Sequence, residues 1–461
     1  MSETHMTEVD LVISGQVVLT DVVLPDGYVA ISAGKVVAIG TGTPPSSKAI
    51  RNFGDAFVLP GAIDSQVHSR SQLNQEDFVW STQAAAAGGV TTIVDMPYDE
   101  GFMVCNRETL LRKRDEAAEQ ARVDFALYGT VAAGAGPEEI AGMVEAGAAG
   151  FKFSTFNTDS KRFPRIPPQT LAACFSEISK HGLIAGVHNE NDEMVRAAIA
   201  NVEASGVTDY RAHALSRPPI SETLAMAEVY EIGAQTGCSA HVVHCSLGRG
   251  YELCKAFRDQ GFDATVEACI HYLILDEEND VKRLGGKAKI NPPIRPRKEV
   301  EALWKHLAAG NISVVSTDHV SWSEDLKTNP EMLKNASGVP GLEVLYSLLV
   351  KGLVERDLPV TWAARLLAEN PAKLFRIDHR KGGIAIGRDA DIVVMEQNST
   401  KYDPSASGHN FVNWSPYEGI ELPYQPVATF LRGRTIFENG AVLSTPGTGE
   451  FIQPNRKSTQ N

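Results

Sequence analysis

Several residues able to bind a metal or move a proton each sit at the end of a short apolar run. Gln66 and His68 follow Ala62-Ile63-Asp64, and Lys152 lies in Gly150-Phe151-Lys152-Phe153-Ser154. His188, His244 and His271 close three further runs, and Asp318-His319 closes another. Imidazole and carboxylate gathered in one place make a borderline donor set suited to zinc or a similar divalent ion. Lys152 is the unusual member, because an ammonium among apolar neighbours is costly to bury. It could pair with Asp318, act as a Schiff-base amine, or take up carbon dioxide as an anionic carbamate that bridges two metals.

Something must bring these groups together. The stretches 61–68, 90–96, 125–131, 150–154, 184–188, 240–244, 264–271 and 312–318 read as strands, with Ala-, Leu- and Glu-rich helices such as 107–121, 220–236 and 298–309 between them. Eight βα units over roughly 320 residues predict an α/β fold, a (β/α)8 TIM barrel whose chemistry lies at the strand C-terminal ends. A doubly wound sheet is the competing reading, but no GxGxxG follows the first strand. Alternation along an extended segment places Gln66, His68 and Arg70 on one face. Both chain ends carry short β segments punctuated by Gly, Asp and Pro, which predicts a small discontinuous β-sandwich. The expected division is 1–58 and 384–461 for that domain and 59–383 for the barrel. The polar tail after Gly447 is expected to fray.

Composition narrows the function. Apolar residues make up 43% and charged residues 22%, as in ordinary globular proteins, and the net charge of −14 argues against nucleic acid or an anionic membrane as partner. Neither a long apolar run nor a signal-like N-terminus is visible, and the 6 cysteines form no CxxC pair, so a cytoplasmic protein with reduced thiols is expected.

Longer motifs carry a resemblance. They include Leu59-Pro-Gly-Ala-Ile-Asp64, Gly88-Gly-Val-Thr-Thr-Ile-Val-Asp-Met-Pro97, Gly150-Phe-Lys152 and Val187-His188-Asn189-Glu190-Asn191. His241-Val-Val-His244-Cys-Ser246, Asn291-Pro-Pro-Ile-Arg295, Thr317-Asp318-His319 and Gly387-Arg-Asp-Ala-Asp391 extend the set over most of the chain. The sequence resembles the amidohydrolase superfamily, in the cyclic amidohydrolase branch of dihydropyrimidinases, hydantoinases, allantoinases and dihydroorotases. That resemblance implies two divalent ions, zinc by expectation, with His68 and Asp318 on one and His188 and His244 on the other. Carboxylated Lys152 would bridge them. The ions would acidify a shared water and polarise a ring carbonyl, while catalytic Asp318 carried the proton to the leaving ring nitrogen. A homodimer or homotetramer is implied as well.

The chain departs from the family pattern at strand one, where Gln66-Val67-His68 replaces His-X-His. Gln66 is a poorer zinc ligand than imidazole, so one ion instead of two is an open alternative. Arg70 stands where dihydroorotases place an arginine for the substrate carboxylate, but Tyr98 and Val320-Ser321-Trp322 replace its partners. Asn157 occupies the position where dihydropyrimidinases and hydantoinases carry a tyrosine. Arg70, Tyr98, Asn157, Asn291 and Trp322 are the expected substrate contacts, with Phe156 a further aromatic at the pocket. The expected activity is ring-opening hydrolysis of a cyclic amide, hydantoinase- or dihydropyrimidinase-like. The alternatives are an allantoinase-like enzyme, a cyclic-imide hydrolase, or a non-catalytic scaffold of the dihydropyrimidinase-related kind.

Overall fold

The computed structural model describes residues 8–72 and 75–455. Strands β1 (Val9–Val18), β2 (Val23–Ser32), β3 (Lys35–Thr41) and β4 (Ser47–Pro60) come first, and β5 (Ala62–Val67) and β6 (Val90–Asp95) follow. After a small hairpin, β7 (Tyr98–Asp99) and β8 (Phe102–Met103), come β9 (Asp124–Gly129), β10 (Gly150–Ser154) and β11 (Ile184–His188). Next are β12 (Ser239–Val242), β13 (Ala264–Cys269) and β14 (Val314–Ser316). The last strands are β15 (Ile392–Lys401), β16 (Glu421–Leu431), β17 (Arg434–Glu438) and β18 (Ala441–Val442).

Strands β5, β6 and β9–β14 pair side by side, all parallel, in chain order. The barrel closes where Val67 bridges His319 and the His68 N–H donates to the His319 carbonyl at 2.9 Å. All residues of β5, β6, β9, β10 and β11 are buried, as strands covered on both faces must be. Helices shield the outside. One of them, Phe78–Ala87, starts at Asp77, whose carboxylate accepts from the Val79 N–H at 2.9 Å, and its alanines let it lie close to the sheet. At the junction of β4 and β5 only Gly61 fits, because a Cβ there would come within 2.3 Å of Thr91 Oγ1.

The two chain ends form one mixed sheet in the order β18-β17-β16-β15-β4-β1-β2-β3. The join is antiparallel, pairing Leu59 with Val393 and Val58 with Val394. Ile13, Val29, Val58, Ile392, Val394 and Phe430 pack into its own core. The discontinuous β domain is therefore as expected.

Two local expectations fail. Residues 448–455 of the segment after Gly447 do not fray, for Phe451 bridges Phe125 and packs on its ring and Ile452 is buried, while the rest of that tail, 456–461, lies outside the described residues. Those two side chains supply apolar area that outweighs the polar composition around them. Strand β13 ends at Cys269, so His271 lies in the short helix Ile270–Ile274 and does not end a strand. All six cysteines are free. No helix among the described residues is long and apolar enough to cross a membrane.

Candidate active site and metal centre

At the C-terminal end of the barrel, a cavity of about 300 Å3 is lined by Gln66, His68, Lys152, His188, His244 and Asp318. These six come from or directly follow β5, β10, β11, β12 and β14, so distant stretches of chain meet there because the strands are parallel. His188 Nδ1 and His244 Nε2 face one another at 2.9 Å. Burial pushes both imidazoles below the usual range, leaving neutral rings with lone pairs to offer. Glu190 Oε2 takes His188 Nε2 at 2.9 Å, which turns Nδ1 towards His244. Burial pushes the Glu190 carboxyl up, but the adjoining Arg217 guanidinium and His188 hold it down at about 2.

Lys152 is 1% exposed. Burial pushes its ammonium down to about 8, against the pull of Asp318 and Glu267. On the far side, Asp318 Oδ1 accepts from Gln66 Nε2 at 2.7 Å and lies 3.4 Å from His68 Nε2. Burial pushes the Asp318 carboxyl up, but the His68 contact and Lys152 bring it below the ordinary carboxylate range. His244 and Asp318 both have left-handed backbones, with φ of 41° and 49°. Such a conformation costs a non-glycine residue about 1–3 kcal/mol and collects at functional sites. Neutral imidazoles, a carboxylate and an amine of lowered basicity form a donor set that fits divalent ions.

The expected substrate contacts divide. Asn291 and Trp322 line the cavity, with Ser337 between them: its hydroxyl donates to Asn291 Oδ1 at 3.3 Å, and its carbonyl accepts from Trp322 Nε1 at 2.8 Å. Arg70, Tyr98 and Asn157 are not on the wall. Strand β5 ends at Val67, so the alternation stops there and Arg70 turns outward to Glu116, 3.8 Å from Asp99. Tyr98 stands behind the wall, donating to the Lys152 carbonyl at 2.9 Å and stacking on Phe163 at 4.1 Å. Asn157 is held by its backbone N–H on Asp192 at 2.9 Å. Phe156 is buried under the Arg217 guanidinium.

Sequence reasoning passed over Phe163 and Arg162, which do line the cavity. Phe163 meets His188 edge-on at 5.7 Å, and Arg162 is tied to the Ser71 carbonyl at 2.6 Å and to Glu100 at 2.9 Å. Phe163 follows the polar run Asn157–Arg162 in the loop after β10, and that contrast was the available signal. His319 braces the mouth instead of facing the cavity, with Nε2 on Glu76 at 2.9 Å and Nδ1 accepting from the Gly341 N–H at 3.1 Å.

A second acidic cluster lies at the opposite end of the barrel, where β9 begins. Asp124, Asp389 and Asp391 bring one oxygen each within 4.8 Å of one another, a set capable of holding a cation. The Lys381 ammonium already sits among them, 2.7 Å from Asp391 and 2.9 Å from Asp389 and bonded to Asp124.

The sequence profile described as the amidohydrolase family matches residues 57–436. The chain belongs to the amidohydrolase family, in its cyclic amidohydrolase branch. This amidohydrolase is 36% identical to an allantoinase of Rubrobacter xylanophilus over 93% of its own length and 94% of the relative's. It is 31% identical to an L-hydantoinase of Paenarthrobacter aurescens, with 96% of each chain covered. Among solved structures it is similar to the L-hydantoinase (dihydropyrimidinase) from Arthrobacter aurescens, at a TM-score of 0.93 and 30% identity, covering 96% of this chain and 100% of that one. A D-hydantoinase structure matches with a TM-score of 0.89 and 28% identity over 97% and 99% of the two chains. The protein is thus a hydrolase of the metal-dependent cyclic amidohydrolase group.

Proposed function

We propose that this amidohydrolase opens a five-membered cyclic ureide, a hydantoin or allantoin, by hydrolysing its ring amide. One observation carries the reading: His68, Lys152, His188, His244 and Asp318 share the wall of one cavity at the barrel's C-terminal end. The relatives named above are called allantoinase or hydantoinase, one of them also dihydropyrimidinase, and hydantoins and allantoin share the imidazolidinedione ring. Dihydroorotate fits less well, since Arg70 is bound to Glu116 and Arg162, the one guanidinium on the wall among the described residues, is bound to Glu100.

His68 with Asp318 and His188 with His244 are the residues that would hold divalent ions, joined by Lys152. At about 8, the Lys152 amine is partly neutral near physiological pH and can take up carbon dioxide. Ions bound there supply Lewis acidity to the ring carbonyl and acidify water. Asp318, held ionised, accepts a proton from the attacking water and delivers it to the leaving ring nitrogen. Asn291, Ser337 and Trp322 orient the ring, and Phe163 excludes water beside His188.

The test is a ring-opening assay on protein loaded with zinc or manganese and bicarbonate, across hydantoin, 5-substituted hydantoins, allantoin, dihydrouracil and cyclic imides. Turnover confined to the five-membered ureides is expected. A metal-loaded protein inert on all of them would sink the reading and promote the scaffold alternative.

A further inference from the structure

Gln66 is 1% exposed and lines the cavity, yet only one end of its amide is satisfied. Its Nε2 donates to Asp318 Oδ1 at 2.7 Å, and Oε1 is buried without a hydrogen-bond partner. The amide cannot be turned over to cure this. An ionised carboxylate only accepts, so the NH2 must face Asp318 and the oxygen must face away from it. A buried carbonyl oxygen left unpaired costs on the order of 1–3 kcal/mol, which is tolerated where a ligand supplies the missing contact. His68 Nε2 approaches the same Asp318 oxygen at 3.4 Å, so Gln66, His68 and Asp318 converge on one spot.

The geometry points to Gln66 Oε1 as an oxygen ligand of the first ion, which makes the two metal positions chemically unequal. This inference rests on the metal centre proposed above. The second position has two imidazole donors, His188 and His244, whose nitrogens already meet at 2.9 Å. The first has one imidazole, His68, with the Gln66 amide oxygen and the Asp318 carboxylate. Nitrogen-rich sets suit zinc, whereas carbonyl and carboxylate oxygens suit harder ions such as manganese(II). Zinc still binds more tightly than manganese at either position by the general order of divalent affinities. What changes is the margin: the first position discriminates less, holds zinc more loosely, and exchanges it for manganese when manganese is in excess. The chain is thus built for a mixed centre, zinc beside His188 and His244 and a harder ion beside Gln66.

The experiment uses full-length protein stripped of metal, incubated with bicarbonate and dialysed against zinc with a graded excess of manganese. Metal per chain is read by elemental analysis and bound manganese by electron paramagnetic resonance, in wild type, Gln66→His and Gln66→Leu. Wild type is expected to keep about one zinc per chain and to exchange the other ion for manganese. Gln66→His should keep two, its first-position zinc affinity rising on the order of tenfold or more. Gln66→Leu should lose the first ion while keeping the second, and retention of that second ion shows that the variant is folded. Wild type holding both zinc ions as tightly as Gln66→His would overturn the inference, as would Gln66→Leu holding the first ion as well as wild type. Absence of metal from every variant would overturn the proposed function with it. Metals that partition as expected, without turnover of any cyclic ureide, would remove the substrate reading alone.

Discussion

Lys152 and Lys381 are both buried in the barrel, one at each end, and their surroundings push them in opposite directions. Burial drives Lys381 down as well, but Asp391, Asp124 and Asp389 bond its ammonium and bring it above the ordinary lysine range. Lys113 follows the same pattern between Asp95 and Asp99. Lys152 has no such escort, and its carboxylates, Asp318 and Glu267, only partly offset burial, so it settles near 8. A buried lysine bonded by carboxylates is a fixed charge that joins parts of the fold. One short of carboxylates is a nucleophile in waiting.

Exchanging the roles should separate the two lysines. Lys152→Ala is expected to lower kcat/KM for the ring substrate by at least about 10³-fold and to release bound metal, with the urea midpoint little changed. Steady-state kinetics and metal analysis on the same preparation check both halves. Lys381→Met should do the reverse, losing about 3–5 kcal/mol of stability because buried Asp391 loses its ion-pair partner, and Asp124 and Asp389 are left to Arg432, Lys35 and Arg380. Protein that still folds should keep its metal content, which equilibrium urea unfolding and elemental analysis would report. Glu190→Gln tests whether His188 depends on its carboxylate: a 10–100-fold weaker metal affinity is expected by chelator competition, with the fold intact.

The smallest effect concerns pH. Below about 8 Lys152 is increasingly an ammonium, which cannot attack carbon dioxide, and above it increasingly an amine. Reactivation of metal-free protein by bicarbonate and zinc, at constant dissolved carbon dioxide, should therefore speed up roughly tenfold per pH unit below 8 and level off above it. A rate flat from pH 6 to 9 would count against carboxylation.

Much of this contrast was legible in the sequence. Each barrel strand was visible as an apolar run, and Lys152 stood out because an ammonium there made no sense as packing. The misses have physical causes. Arg70 was placed by alternation, which holds only while the strand lasts, and β5 ends at Val67. Tyr98 looked like a wall because it is aromatic, but its hydroxyl is spent on the Lys152 carbonyl. The Lys381 cluster was only half visible: Asp389 and Asp391 lie close to Lys381 in sequence, but Asp124 is remote and joins them only when the last strands dock on the barrel. Phe451 was discounted with its polar neighbours, although a single buried ring can anchor a segment.

The pairing of Leu59 with Val393 has a consequence for how the molecule is made. During synthesis, β4 waits while the whole barrel is translated, because β15 lies beyond it in the chain. Its edge offers unpaired N–H and C=O groups throughout that interval, the kind of surface that recruits other strands. Closing the sheet is thus a late, long-range event, slow by the logic that ties folding rate to contact separation. Chains cut short before residue 392 leave that edge open for good, and aggregation of such fragments is the outcome the topology dictates.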